Sequence, residues 1–150
     1  MTTNKAGLLE RNKLIWRSLR SLPLWVQIWV VGILVPVNAA AFLMLDTPTG
    51  HWTAIAAVFV MATNMPIMYY YCGMNRAMSV PHLIAWGPLQ VYLIMRLATG
   101  EVAAGSAELI YLWLLLVVNG ISLVFDLLDS YKWLVGGRET PGIDEGASHV

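Results

Sequence analysis

Three long apolar runs do most to limit what this chain can fold into. They extend from Leu22 to Leu45, from Trp52 to about Gly73 and from Ala107 to about Leu128. Roughly 20 apolar residues in a helix cross the hydrocarbon core of a bilayer, so each run is long enough to span it. The pattern predicts an all-α integral membrane protein.

A fourth segment, Leu83 to Ala98, is shorter than the other three. We expect it to span as well, because it lies between two clearer spans and its flanks, Pro81-His82 and Thr99-Gly100-Glu101, are typical of membrane-edge turns. A re-entrant segment is the alternative. Four spans predict a four-helix transmembrane bundle in residues 22–130, with helices at about 22–45, 52–73, 83–98 and 107–128.

The composition agrees with burial in a membrane. Hydrophobic residues make up 58% of the 150 and charged residues 12%, whereas about a quarter of a soluble domain is charged. The nine basic and nine acidic residues cancel to a net charge of zero, so no overall field attracts nucleic acid. Cys72 is the only cysteine, and it therefore cannot form an internal disulfide or a thiolate zinc site.

The basic residues are segregated along the chain. Five precede the first span, one lies between the second and third, and two follow the fourth: Lys5, Arg11, Lys13, Arg17, Arg20, Arg76, Lys132 and Arg138. Arg96 falls on the other side, together with Asp46, Glu101 and Glu108. Because cytoplasmic loops are enriched in Lys and Arg, this pattern predicts a multi-pass protein of the inner (plasma) membrane with both termini in the cytoplasm.

The two ends of the chain differ from the spans. In residues 1–21 the apolar side chains largely share one helical face and the basic ones take the others, which predicts an amphipathic interfacial helix. The alternative is that these charges only mark the cytoplasmic side. In residues 131–150, Tyr131, Lys132 and Trp133 suit the headgroup layer. The Gly-rich polar stretch from Gly136 to Val150 is expected to be disordered.

Polar side chains occur within every predicted span. With a helical rise of about 1.5 Å per residue, Asn64, Gln90 and Asn119 each fall near the middle of the membrane and form a predicted intramembrane layer. Gln27 and Asn38 share a stripe on the first helix. Lipid-facing amides are costly, so these groups are expected to point inward and either hydrogen-bond helix to helix or line a path. Since no ionisable residue falls at that depth, a proton-coupled carrier is disfavoured.

A second polar face is predicted at the cytoplasmic edge. It comprises Ser122, Asp126, Asp129, Arg76 and His82. Asp126 and Arg76 are expected to form an ion pair, because they lie at matching ends of the fourth and second helices. Asp126 and Asp129 could instead hold Mg²⁺ against a phosphate. A lone pair of carboxylates lacks the further acidic residues and glycines of lipid phosphotransferases, so we predict no catalytic residues, and a membrane enzyme is the third alternative.

Two other residue patterns could bind a metal, and both have simpler explanations. Met61, Met65, Met68 and Cys72 follow one face of the second helix and could suit Cu(I), but methionine also fills irregular gaps in helix bundles. His51 and His82 lie at opposite ends of the predicted topology and cannot ligate one haem. No metal or cofactor is expected.

Proline interrupts three of the four predicted spans. Pro36, Pro66 and Pro88 each remove a backbone donor and free a carbonyl one turn earlier, so kinks are expected there. Gly87-Pro88 lies in the shortest span, and it is where a broken helix of the kind found in transporters is expected.

These features favour a small integral membrane protein that packs against other membrane subunits or copies of itself, as an accessory or assembly subunit. Kinked spans with neutral polar faces supply interhelical hydrogen bonds but no reactive centre. A homo-oligomeric channel or uncoupled transporter is the alternative. The expected partners are the lipid bilayer and other membrane subunits or further copies of the chain, and no nucleic acid is expected.

Overall fold

The computed structural model describes residues 7–143, and these residues form five long helices and no strand. The helices are α1 (Leu8–Ser21), α2 (Leu24–Leu43), α3 (Pro48–Tyr71), α4 (Ser79–Ala98) and α5 (Ala107–Leu134), with a short 3-10 turn at Arg76–Met78. Helix accounts for 80% of the structure. The all-α prediction is therefore confirmed.

Three helices, α2, α3 and α5, are long and apolar enough to cross a membrane. Helix α4 has 20 residues but is less apolar, because His82, Gln90 and Arg96 lower its hydropathy. It continues unbroken through Gly87-Pro88, so the expected helix break is not present. Three of the helices are thus typical of a membrane protein. The composition of α4 alone does not identify it as a span.

Helix α2 changes its winding along its length. Its middle, Ile28–Leu34, is a π-helix in which the Val35 N–H bonds to the Val30 carbonyl five residues earlier, and Val35–Ala39 is again α-helical. Pro36 explains this change, because its ring clashes with the carbonyl four residues before it in an ordinary α-helix and a wider turn relieves the clash. Residues after the π-helix are consequently rotated relative to those before it.

Helix α3 begins at Pro48, four residues before the predicted start, because Thr47 caps it. The Thr47 side chain accepts a hydrogen bond from the Gly50 N–H at 3.1 Å, and Pro48 occupies the first turn, where a missing N–H costs nothing. Gly50 is required at this corner, since a Cβ there would overlap the Met44 carbonyl group. The α2–α3 connection is therefore a tight turn.

Helix α4 lies antiparallel to both α3 and α5, and its contacts with α5 build most of the core. Trp86, Leu89 and Leu93 of α4 are buried together with Leu112 and Leu115 of α5. We call the end of the helices that carries α1 and the α3–α4 turn the α1 end. The end that carries the α2–α3 and α4–α5 connections is called the loop end.

The outward surfaces of the long helices are apolar. Exposed side chains on them include Val31, Val35, Phe59, Val91, Ile94, Val117 and Val124. Contact between this surface and water would be costly in free energy. The surface is suited to lipid chains or to other transmembrane helices.

Residues 137–143 lie against α1 and the turn that follows α3. Thr140 is buried, and the Asn75 Nδ2 donates to the carbonyl of Arg138 at 2.8 Å. Ser18 of α1 is fully buried and accepts a hydrogen bond from the Met74 N–H. The disorder predicted from Gly136 is therefore wrong for residues 136–143, because sequence composition does not reveal these partners. Residues 144–150 of that prediction, and residues 1–6 of the amphipathic segment, lie outside the described residues.

Candidate functional site

A buried ion pair joins three helices at the loop end. Arg96 of α4 is 6% exposed, and its Nη1 donates to Glu108 at the start of α5 and to the Thr49 hydroxyl of α3. The Thr49 N–H also donates to the Glu108 carboxylate at 3.1 Å. In the sequence, Arg96 stands out only as the one basic residue on the acidic side. Glu108, twelve residues later across a single loop, is the signal in the sequence for its partner.

An amide pair joins the last third of α2 to the middle of α5. The Asn38 Nδ2 donates to Asn119 Oδ1 at 2.9 Å, and the Asn119 Nδ2 donates back to Asn38 Oδ1 at 3.0 Å. Asn119 is fully buried. Gln90 instead donates to the backbone carbonyls of Leu115 and Leu116 at 3.3 and 3.2 Å. Asn64, Gln90 and Asn119 therefore do not hydrogen-bond to one another.

Three side chains from three helices meet closer to the α1 end. Asn64 of α3 contacts His82 of α4 through Nδ2 and Nε2, 2.9 Å apart, and His82 Nδ1 lies 3.1 Å from Asp126 Oδ1 of α5. The ring of Trp86 lies beside the imidazole, with centroids 6.5 Å apart. We call Asn64, His82 and Asp126 the polar triad. Asn64 is seven residues from the end of α3, which places the triad about 10 Å inside that end.

The hydrogen-bond roles in the polar triad follow from the chemistry of its ends. An ionised Asp126 only accepts, so in neutral His82 the proton is on Nδ1 and Nε2 accepts from the Asn64 amide. Asn64 Oδ1 and Asp126 Oδ2 are then left without a partner among the described residues, although both atoms are buried. Unpartnered buried acceptors cost about 1–3 kcal/mol each, so this is where a further donor would bind most favourably.

The predicted ion pair between Asp126 and Arg76 is wrong. Arg76 lies in the turn beyond α3, where it contacts Asp129 at 3.6 Å and Glu139 at 3.2 Å. Asp126 lies one helical turn deeper than Asp129 and so reaches His82 instead. Arg76 and Asp129 are partly exposed, whereas the Asp126 side chain is only 14% exposed.

The remaining predicted polar residues bind within the fold. Ser122 accepts a hydrogen bond from Trp29 Nε1 at 3.1 Å, which is a second link between α5 and α2. Gln27 turns back to the α1–α2 connection and donates to the Leu22 carbonyl at 2.7 Å. Gln27 and Asn38 therefore have unrelated partners, because the π-helix between them changes the rotation of α2.

The sulfur-containing face of α3 does not converge on one point. Met61 and Met65 are exposed on the outer surface, and the Cys72 thiol contacts the Tyr69 carbonyl at 3.7 Å. Within residues 7–143, no three or more His, Cys, Asp and Glu side chains are grouped closely enough to hold a metal ion. Of all the polar groups described above, the polar triad combines burial, ionisable chemistry and unused hydrogen-bonding capacity.

Comparison with known proteins gives no relative from which to transfer a function. Neither protein-family models, nor curated proteins, nor solved structures match this chain. Any functional assignment therefore has to rest on the residues and contacts described above.

Proposed function

We propose that α2, α3, α4 and α5 all cross the membrane and form a four-helix transmembrane bundle. Helix α4 has 20 residues, which at about 1.5 Å per residue matches a hydrocarbon core of about 30 Å. Near its two ends α4 contacts α3 and α5, through Arg96 at the loop end and through His82 towards the α1 end. Helix α4 therefore runs beside α3 and α5 over a length that matches the hydrocarbon core.

An even number of spans supports a cytoplasmic location for both termini. It leaves all the basic residues except Arg96 on one side, as expected of a protein in the inner (plasma) membrane. Arg96 is the exception that the fold explains, because Glu108 neutralises it. Helix α1 acts as an interfacial helix in this arrangement: Leu8, Leu9 and Trp16 are exposed and could enter the headgroup layer beside its basic residues.

Within this membrane arrangement, we propose that the protein is an accessory or assembly subunit of a membrane complex. The observation that carries the proposal is the Asn38–Asn119 pair, in which both mid-bundle amides use their donors and acceptors on each other. Groups that line a solute path must instead offer these atoms to the solute. The polar side chains in the middle of the bundle thus hold helices together, and the apolar outer surface is left for lipid and for neighbouring subunits.

This role can be tested by purifying the tagged chain from its own membrane in mild detergent and measuring the mass of the particle. We expect a complex of fixed stoichiometry that contains other integral membrane subunits or further copies of the chain. Liposomes that contain the purified chain alone should show no flux of potassium, chloride, protons or water above empty liposomes.

The homo-oligomeric channel or uncoupled transporter makes the opposite prediction. Reproducible flux that Asn119→Leu abolishes, without unfolding the protein, would replace the accessory role with the channel. A chain that is monomeric and silent would exclude both. Gln27→Leu is the matched control, because Gln27 donates to the carbonyls of Arg20, at the end of α1, and Leu22. Its replacement should leave any flux through the bundle unchanged.

A further inference from the structure

The polar triad contains an unpartnered acceptor on a residue that already donates. Asn64 is 7% exposed and uses its Nδ2 to donate to His82, while its Oδ1 is buried without a partner. An amide in this position can be turned by half a rotation about its last side-chain bond, which exchanges donor and acceptor without moving the backbone. Asn64 can therefore bind His82 in either of two ways.

The two orientations fit two protonation states of His82. When His82 is neutral, Nε2 accepts from the Asn64 amide and Nδ1–H donates to Asp126. When His82 is charged, both ring nitrogens donate, and the turned amide offers Oδ1 to Nε2–H. Asn64 Oδ1, which has no partner when His82 is neutral, then accepts a hydrogen bond from the newly protonated Nε2.

We propose that Asn64, His82 and Asp126 form a proton-binding site inside the bundle, in which His82 takes up a proton at Nε2 and the Asn64 amide turns to accept it. A hydronium ion supplies the proton: its O–H bond breaks to leave water as the N–H bond forms at Nε2, and the charge of the site changes from minus one to zero. No group is oxidised or reduced. This site is independent of the accessory role, and it would add proton sensing to it.

Protonation of His82 would remove the net charge of the polar triad. An isolated carboxylate inside a membrane protein is costly, and an imidazolium in contact with it removes the net charge. From α5 the facing titratable group is Asp126, whereas α3 presents the uncharged amide of Asn64. On α2, Trp29 donates to Ser122, one turn from Asp126, and carries no charge. At the α1 end, Arg76 contacts both Asp129 and Glu139.

A proton would reach the site most directly from the α1 end. His82 lies in the first turn of α4, and the side chains of His82 and Asp126 are 20% and 14% exposed. The loop end is closed to it, because the buried core around Leu93 and Leu112 lies between the triad and the Arg96 ion pair. With the proposed topology, the site would exchange protons with the cytoplasm.

The test is NMR of ¹⁵N-labelled histidine in the full chain in nanodiscs, with His51→Gln and His149→Gln so that His82 gives the only imidazole signals. At high pH we expect the tautomer protonated at Nδ1. On acidification, both nitrogens should become protonated in one reversible step. The side-chain amide signals of Asn64 should change with the same midpoint.

Two variants distinguish the effect of Asp126 on His82 from the effect of another carboxylate nearby on α5. Asp126→Asn should change the midpoint, because the carboxylate that contacts His82 Nδ1 is gone. Asp129→Asn is the matched control one turn further along α5 and should leave the midpoint nearly unchanged. If His82 stays neutral throughout, or titrates while the Asn64 amide signals do not change, the proposal is wrong. The imidazole signals of His82 and the amide signals of Asn64 are both measured with the polar triad intact. They therefore decide the question even if Asp126→Asn does not fold.

Discussion

The side-chain amides of Asn38 and Asn119 exchange two hydrogen bonds, at 2.9 and 3.0 Å, between α2 and α5. Asn38→Leu leaves the Asn119 amide buried with both its donor and its acceptor unpaired. Asn119→Leu leaves only Asn38 Oδ1 unpaired, because Asn38 Nδ2 also donates to the Leu34 carbonyl at 2.9 Å. Each single variant should therefore lower the free energy of unfolding by roughly 0.6–2 kcal/mol, the range of interhelical hydrogen bonds in membranes. The double variant should lose less than the sum of the singles, as measured by thermal unfolding in detergent. Simple additivity would show that the two amides do not interact.

The ion pair between Arg96 and Glu108 at the loop end should contribute more to the stability of the fold than any exposed charge does. Arg96→Met or Glu108→Gln leaves one buried polar partner without its counterpart, and breaking a buried pair costs about 3–5 kcal/mol. We expect both variants to lower the melting temperature strongly in detergent. Glu101→Gln is the control: Glu101 also contacts Arg96, but its side chain is 58% exposed, so its loss should cost at most about 1 kcal/mol. Equal effects of Glu101→Gln and Glu108→Gln would contradict the structure.

Four spans and three spans can be separated by cysteine labelling in a Cys72→Ser background. Ala104→Cys lies in the exposed α4–α5 loop and Val135→Cys follows α5 at the α1 end. We expect an impermeant maleimide added outside intact cells to label Ala104→Cys, and Val135→Cys to react only after lysis. If α4 does not span, the two results should be reversed, since the α4–α5 loop and the α5 terminus would each change sides.

Gly73 is where α1 and residues 137–143 approach the end of α3. A Cβ at this position would lie 2.6 Å from both Ser18 Oγ and Thr140 Cγ2. Gly73→Ala should therefore displace these two segments and destabilise the protein by about 1–3 kcal/mol, with faster proteolysis of residues 137–143. Gly87→Ala in α4 is the control, because a Cβ there meets nothing within 4 Å, and Ala favours helix by about 1 kcal/mol over Gly. Unchanged proteolysis in Gly73→Ala would contradict this packing.

The apolar runs predicted where the long helices lie, because hydropathy and length are local properties of the sequence. The polar partners were harder to predict, because they depend on how each helix is rotated about its own axis. Asn38 shows this best: its stripe with Gln27 assumes an unbroken α-helix, and the π-helix at Ile28–Leu34 changes the register between them. A proline in the sequence indicates that something must change there, but not which change relieves the clash.

The contact among the three residues of the polar triad could not be predicted from the sequence, for a related reason. Depth estimated from the sequence places Asn64 in a mid-membrane layer and places His82 and Asp126 at the edge, so it does not bring the three together. The structure starts α4 at Ser79 and extends α5 to Leu134, which moves His82 and Asp126 inward relative to the ends of their helices. The sequence also favours Arg76 as the partner of Asp126, since a permanent opposite charge is a more obvious partner for an acid than an imidazole.

The contact among Ser18, Gly73 and Thr140 also sets the order in which the protein can be completed during synthesis. These residues belong to the first helix, the middle turn and the last described segment, so the ribosome releases the third long after the first two. Helix α1 can meet the α3–α4 turn early, but Thr140 cannot occupy its place between them until α5 has been synthesised. The packing of residues 137–143 at the α1 end is thus a late step, made by residues outside the predicted spans.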